Sequence, residues 1–391
     1  MSLKKYHFLI GTRWFGVLGP CQLIIDQLVK NGYEVFVFGQ VDEHYQRYFK
    51  NQCRLIRLRM RRSYFSPVSD VLDLLKLIYF MIKYRPDGVH SFNPKPALIS
   101  AFVVSFFRKT KFFIGVTGLG NTFIRAPRLE PIIKSALRKA CSRASFVFFQ
   151  NRDDVDFFVK KNLVEREKTL LFIGPGVDLR VFGPGDTVKP DSGLVRITCV
   201  ARLIWQKGIR EYIQAAEQLK QLFTEIINLE FLLVGEIDAE HPDCCDPAFI
   251  ADAAKKGIVR HIPWSDDVSG LLRTTDIFVL HSYREGAPRA ILEASACCLP
   301  TVGSDAIGVR ELVIDGTTGF LTPLKNVDAM VEALQKLIEN KAMRLEFGRN
   351  ARQLIGEPYS LANSSQRQLE MYNMAGYNLK LSISEDQEFA K

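Results

Sequence analysis

Short apolar runs alternate along the whole chain with stretches whose apolar positions recur at helical spacing. Apolar runs bounded by turn residues predict strands buried on both faces, the signature of parallel α/β units. In the first half this pattern predicts strands over 6–11, 34–39, 88–91, 112–117, 146–150 and 169–173. Helices fit between them at 20–30, 68–84, 96–107 and 130–143. A tract rich in Pro, Gly and polar residues then runs from Gly183 to Gly193 and reads as a linker. A second series follows, with strands at 195–201, 231–234, 259–262, 277–280 and 301–303. Its helices are predicted at 208–223, 268–274, 288–296, 327–339 and 342–354. The expectation is therefore two similar-sized Rossmann-like domains, 1–185 and 194–360. Residues 361–391 complete it as a C-terminal helix crossing back to the first domain, with a frayed polar tail. Open α/β sheets bind ligands outside the carboxyl ends of their strands, so the cleft between the domains is the expected site.

Length supports two domains, since 391 residues exceed one ordinary core. Charge changes the picture more. The net +9 divides into +15 over residues 1–187 and −6 over the rest. A basic first half points to an anionic partner. Helix-turn-helix, RNP-like and zinc signatures do not occur, which argues against nucleic acid. The longest largely apolar stretch, 97–107, is too short for a membrane span of about 20 residues. His7, Gly11 and Arg13 break the apolar run that would make a signal peptide. Eight cysteines occur without a Cys-x-x-Cys, consistent with reduced, buried thiols and a cytoplasmic location.

Three clusters could carry chemistry. Ser282-Tyr283-Arg284-Glu285-Gly286-Ala287-Pro288-Arg289 follows a buried strand and opens a helix. Pro288 suits the first turn, and free amides from Gly286 to Arg289 favour phosphate at the positive helix end. Glu285 lies at the helix mouth, and Glu293 about two turns in could accept both hydroxyls of a ribose. Val200-Ala201-Arg202-Leu203-Ile204-Trp205-Gln206-Lys207-Gly208 joins a strand to a helix, and Arg202 with Lys207 could clamp a diphosphate. Ser304-Asp305-Ala306-Ile307-Gly308 allows close backbone approach to a ligand at Gly308, while Gly316 and Gly319 read as an ordinary tight turn. Taken singly, each cluster also has a plain reading as helix-end carboxylates or solvated cations.

Together and in this order, the Glu-x7-Glu element, the Arg-x4-Lys loop and the glycine loops resemble the retaining nucleotide-sugar glycosyltransferases of family GT4. Gly176-Val177-Asp178 with Phe182 is similar to a segment of that family ahead of its interdomain linker. The resemblance implies an α/β enzyme of GT-B fold, with two Rossmann-like domains facing each other across a cleft. It implies Arg202 and Lys207 on the donor diphosphate, Glu293 on the ribose, and Glu285 beside the donor sugar and leaving phosphate. Amides from Gly286, Ala287 and Arg289 would complete the cradle around Pro288. Gly16, at the end of Gly11-Thr12-Arg13-Trp14-Phe15-Gly16, would approach the donor phosphate from the first domain. Relatives with a His after the next strand differ here, where Thr117-Gly118 stands.

Asn93-Pro94-Lys95-Pro96 and Val116-Thr117-Gly118-Leu119-Gly120 resemble the branch that builds O-antigen, capsule or N-glycan precursors. That branch implies a polyprenyl-diphosphate-linked saccharide acceptor at the inner face of the membrane. The donor implied is a UDP-linked hexose or N-acetylhexosamine, with no metal cofactor. Acceptor candidates are His90, Lys95, Thr117, Gly118 and Arg125, although a lone His at a strand end also suits a structural role. The segment 54–65 interleaves Arg54, Arg57, Arg59, Arg61 and Arg62 with apolar residues. It could meet an anionic leaflet, or simply be an exposed strand and turn. A sugar-nucleotide epimerase and a non-catalytic subunit of a glycan-assembly complex are the rival readings.

Overall fold

The computed structural model describes residues 5–13, 24–40, 53–60, 67–117, 130–174, 176–185, 193–224, 226–239 and 241–380. The chain divides into two compact units, Met1–Pro175 with Ser364–Ala390, and Gly176–Asn363.

The first unit holds a seven-stranded parallel sheet in the order β3-β2-β1-β4-β5-β6-β7. These strands are β1 (Lys5–Arg13), β2 (Tyr33–Gln40), β3 (Arg54–Arg57), β4 (Gly88–Phe92), β5 (Lys111–Val116), β6 (Phe146–Phe149) and β7 (Thr169–Leu171). The described helices are α1 (24–30), α2 (Pro67–Tyr84), α3 (Pro94–Val104), α4 (Glu130–Arg143) and α5 (Arg152–Lys160). Alternate strand residues face opposite ways. Phe8, Ile10, Phe36, Phe38, Phe112 and Ile114 pack with Leu77 and Met81 of α2, Ala97 and Ala101 of α3, and Ala140 of α4. Leu9, Val35, Val37, Phe92 and Phe113 pack on the other side with Ile24, Ile25 and Leu28.

Leu369, Met371 and Tyr372 join that second cluster. They belong to the C-terminal helix Leu361–Met374. A polar knot lies inside it. His7 Nδ1 is 3.0 Å from the Tyr377 hydroxyl, and His90 Nδ1 is 2.8 Å from that of Tyr372. Burial pushes the His7 imidazole down to about 3 and holds His90 well below its ordinary value. Both rings are therefore neutral in the core near neutral pH.

The second unit is a six-stranded parallel sheet in the order β10-β9-β8-β11-β12-β13. Its strands are β8 (Leu194–Val200), β9 (Asn228–Val234), β10 (Arg260–Ile262), β11 (Ile277–Leu280), β12 (Thr301–Ser304) and β13 (Gly319–Thr322). Helices α6 (Ile209–Leu222), α7 (Pro247–Lys255), α8 (Val268–Arg273), α9 (Arg289–Ala296), α10 (Val327–Glu339) and α11 (Lys341–Ile355) connect or cover them. Polar caps start several of these helices. Asn326 accepts from the Ala329 amide, Asn340 from Met343 and Asp267 from Gly270.

Several elements differ from the sequence expectation. The first unit ends at Pro175 rather than 185. Residues after it are tied into the second unit: Val177 N donates to Tyr359 O at 3.0 Å, and Arg352 Nη1 to Phe182 O at 2.9 Å. Much of the predicted linker, 186–192, and the tail beyond Lys380 lie outside the described residues. Helices α5 and α7 and strand β13 escaped prediction. Each is short, and β13 begins at Gly319, which reads as turn chemistry in sequence. Gly316 does turn, at φ +67°, whereas a Cβ on Gly319 would collide with the Thr301 backbone oxygen across the ladder.

Candidate active site of the second unit

The chain grows outward from β8 to β9 and β10, then returns to β11 on the other side of β8. Loops leaving the carboxyl ends of β8 and β11 thus stand side by side at a switch point, the place where open α/β sheets bind ligands. These loops are residues 201–208 and 281–288.

The two loops are stitched together by backbone. Tyr283 N donates to Gln206 O at 2.8 Å. Gly208, at φ +73°, leads into α6 so close to β11 that an added Cβ would sit 2.3 Å from the His281 oxygen. The Tyr283 hydroxyl donates to Glu211 Oε1 at 2.6 Å, and the Lys325 ammonium lies 5.0 Å from the Tyr283 ring centroid. A third loop closes on the second: Glu285 N donates to Ile307 O at 2.9 Å. A Cβ on Gly308 would meet the backbone oxygens of Glu285 and Gly286. The close approach that Gly308 permits is therefore to this loop's own backbone rather than to a ligand.

On this frame the Lys207 ammonium donates to Glu285 Oε1, with the side chains 18% and 12% exposed. The pair is therefore an ion pair largely shielded from solvent. Arg202 Nη1 donates to Asp238 Oδ2 at 2.9 Å and remains half-exposed. Asp238, in the loop after β9, went unnoticed in sequence; an acidic cluster after a buried strand was the available signal. Pro288 precedes α9, whose N-terminus has no side-chain cap, so the first-turn amides lack that usual acceptor. Within α9, Arg289 Nε donates to Glu293 Oε1 at 2.8 Å. Burial raises the Glu293 carboxyl above its ordinary range, against the lowering pull of Arg289.

The first-unit candidates fare differently. His90 is 3% exposed, stacked on Phe92 and bonded to Tyr372, so it is a core residue and not an acceptor contact. Every residue of β4 is buried, and its alternation turns His90 inward. Lys95 is no free cation: it pairs with Asp70 at 2.8 Å with its side chain 11% exposed. The half-buried Thr117 donates to Asn93 Oδ1 at 2.7 Å. Gly16, Gly118 and Arg125 lie outside the described residues.

The family model for glycosyl transferases group 1 matches residues 188–354, and that for glycosyl transferase 4-like proteins matches residues 11–151. The chain belongs to these GT4-like glycosyltransferases. The N,N'-diacetylbacillosaminyl-diphospho-undecaprenol α-1,3-N-acetylgalactosaminyltransferase of Campylobacter jejuni is 27% identical, over 90% of this chain and 93% of that protein. The UDP-Gal:α-D-GlcNAc-diphosphoundecaprenol α-1,3-galactosyltransferase of Escherichia coli is 25% identical, over 78% of this chain and 80% of that protein. Anabaena HepE in complex with UDP and glucose superposes with a TM-score of 0.75 at 17% identity, over 95% of this chain and 99% of that one. The fold is GT-B, two parallel-sheet Rossmann-like units. The glycosyl transferases group 1 match, residues 188–354, spans the loops and helix that carry Lys207, Glu285 and Glu293.

The Glu293 environment of this glycosyltransferase has a pH consequence. A carboxyl whose folded pKa is raised binds its proton more tightly in the folded chain than in the unfolded one. Stability therefore falls as pH climbs from the unfolded carboxylate range through the raised value. Glu293→Gln is expected to flatten that fall in urea midpoints measured across mildly acidic pH.

Proposed function

We propose that this enzyme moves a hexose or N-acetylhexosamine from a UDP-linked donor, with retention of anomeric configuration, onto a polyprenyl-diphosphate-linked saccharide. In this reading it is a hexosyltransferase of bacterial surface glycan assembly, working peripherally on the anionic inner face of the cytoplasmic membrane. The observation that supports it most is the Lys207–Glu285 pair at the switch point, beside the uncapped end of α9. The names of the Campylobacter and Escherichia relatives support the acceptor class.

When the bond from the anomeric carbon to phosphate breaks, the diphosphate leaves with added negative charge. Lys207, Arg202 and the α9 amides are the groups placed to meet that charge, and the reading needs no metal. A carboxylate beside a departing phosphate would repel it. Glu285 is therefore read as orienting a donor hydroxyl or the positive sugar centre, in contact with Lys207 rather than with the phosphate. Glu293, held by Arg289, is the ribose acceptor. Excluding water around these groups limits donor hydrolysis.

The test is a donor screen with a polyprenyl-diphosphate-linked saccharide, read by mass spectrometry. The expected result is one sugar added to the acceptor, only when a UDP-sugar is supplied, with the anomeric configuration kept. Conversion of the donor with no acceptor present would favour the epimerase reading instead. Nucleotide binding with neither outcome would favour the non-catalytic subunit.

A further inference from the structure

Helix α2 buries one apolar face and exposes another. Leu77 and Met81 are almost fully buried in the core of the first unit. Val68, Val71, Leu72, Leu75, Tyr79 and Ile82 are between 45 and 76% exposed. At 3.6 residues per turn these six positions fall within an arc of roughly 100°, running the length of the helix. Scattered exposed apolar side chains are normal, but a continuous stripe marks a surface that meets something.

Charge narrows what that is. The exposed positions bordering the stripe on one edge are Lys76 and Lys83. Both acidic residues of the helix turn away from it: Asp73 is 3% exposed and accepts from the Arg59 amide, and Asp70 pairs with Lys95. The lysine edge adjoins more cations. Lys76 Nζ donates to Arg57 O at 2.8 Å, which sets the exposed arginines of the 54–59 segment beside it. Exposed Phe102 lies on α3 and exposed Phe106 in the turn just after it, in the same layer over the sheet. An apolar face flanked by one sign of charge is the pattern of a helix lying in the plane of an anionic bilayer. At 18 residues with four charges, α2 cannot cross one, and no described helix is long and apolar enough to do so.

We infer that the outward face of α2 is the membrane-docking surface, a placement that rests on the membrane-associated reading above. Val71, Leu72, Leu75 and Tyr79 would enter the acyl boundary while Lys76, Lys83, Arg57 and Arg59 meet lipid phosphates. The Arg-rich segment is then the electrostatic border of the surface and α2 its apolar centre.

Flotation of the full chain with phosphatidylglycerol–phosphatidylethanolamine vesicles tests this with neither donor nor acceptor present. Wild type is expected to float with them and less with phosphatidylcholine alone. Leu72→Gln and Leu75→Gln should each lower partitioning about tenfold, because each removes one buried leucine from the interface. Lys76→Gln and Lys83→Gln should each cost about fivefold, on anionic vesicles only. All four side chains are exposed, so melting temperature and transfer to a water-soluble acceptor should be unchanged. Absent wild-type flotation, or leucine variants that float like wild type, would overturn the placement. So would a concentration-dependent dimer, dissolved by the leucine variants, that does not float; the stripe would then belong to a second copy. Vesicle binding by a chain that transfers no sugar would leave the surface standing and remove the catalytic reading alone.

Discussion

Lys207→Ala is expected to lower kcat by about a hundredfold to a thousandfold, the loss typical when one preorganised donor to a developing anion is removed. The ammonium occupies the loop after β8, against Glu285 from the loop after β11. Alanine removes the charge and also takes away the ammonium that donates to the largely buried Glu285 carboxylate. That second effect costs stability, up to about 3 kcal/mol for a buried pair broken on one side. A second substitution separates the two. Lys207→Ala combined with Glu285→Gln should recover part of the lost melting temperature, since a neutral amide replaces the carboxylate that faced the ammonium. It should not recover turnover, since the cation is still missing. Lys207→Arg should rescue little, because the guanidinium is a broad planar fork in a place shaped for a compact ammonium. Steady-state kcat and thermal melts on the four proteins decide it. Near-normal kcat for Lys207→Ala would remove Lys207 from the diphosphate clamp.

Much of the scaffold around that lysine was legible beforehand, for definite physical reasons. Strand Ile277–Leu280 is four apolar residues buried on both faces, and helix Val327–Glu339 combines a strong apolar stripe with an Asn cap. Such elements announce themselves because burial demands an apolar run and a helix start demands a cap. Edge strand β3 does not. Its residues are Arg-Leu-Ile-Arg, with both arginines exposed, and so it reads as a basic surface segment. It turns out to be both. The tract 183–193 misled about the domain boundary because Gly and Pro mark loops, whereas the boundary follows the contacts Val177 makes with Tyr359.

The site was half legible in the same sense. Glu285, Glu293, Arg202 and Lys207 sit at motif spacings on strand-to-helix loops, which sequence displays directly. Their partners do not. Asp238 reaches Arg202 only because β9 lies beside β8, and Lys207 reaches Glu285 only because β11 lies on the other side of β8. Strand order is a long-range property, and no local pattern encodes it. His90 failed for a related reason: a histidine ending a strand points to solvent or core according to what covers that face, and Tyr372, far away in sequence, covers it. On α2, leucines and isoleucines occur on both the buried and the outward face, so the sequence cannot separate the face that packs from the face left outward.

Gly208→Ala is the substitution expected to couple fold and chemistry most strongly. Gly208 combines a left-handed backbone, at φ +73°, with a close approach to the His281 oxygen. Alanine meets two penalties there. The left-handed conformation costs about 1 kcal/mol or more for a residue with a Cβ. The collision at 2.3 Å is with backbone rather than a movable side-chain tip, so either α6 or the loop after β11 must shift. A loss of about 2–4 kcal/mol in unfolding free energy is expected, read from urea midpoints at unchanged m. Gly257→Ala is the control, since Gly257 has a similar φ of +68° with nothing within 4 Å of the added Cβ. It should show the backbone penalty alone and keep full turnover. In Gly208→Ala the displaced backbone carries Lys207 on one side and, through Tyr283 and Gln206, the Glu285 loop on the other. A shift of about 1 Å between those loops can cost up to a hundredfold in rate. Turnover should therefore fall at least tenfold at temperatures where the variant is fully folded. If kcat is preserved while stability drops, the spacing of the two loops does not control the reaction.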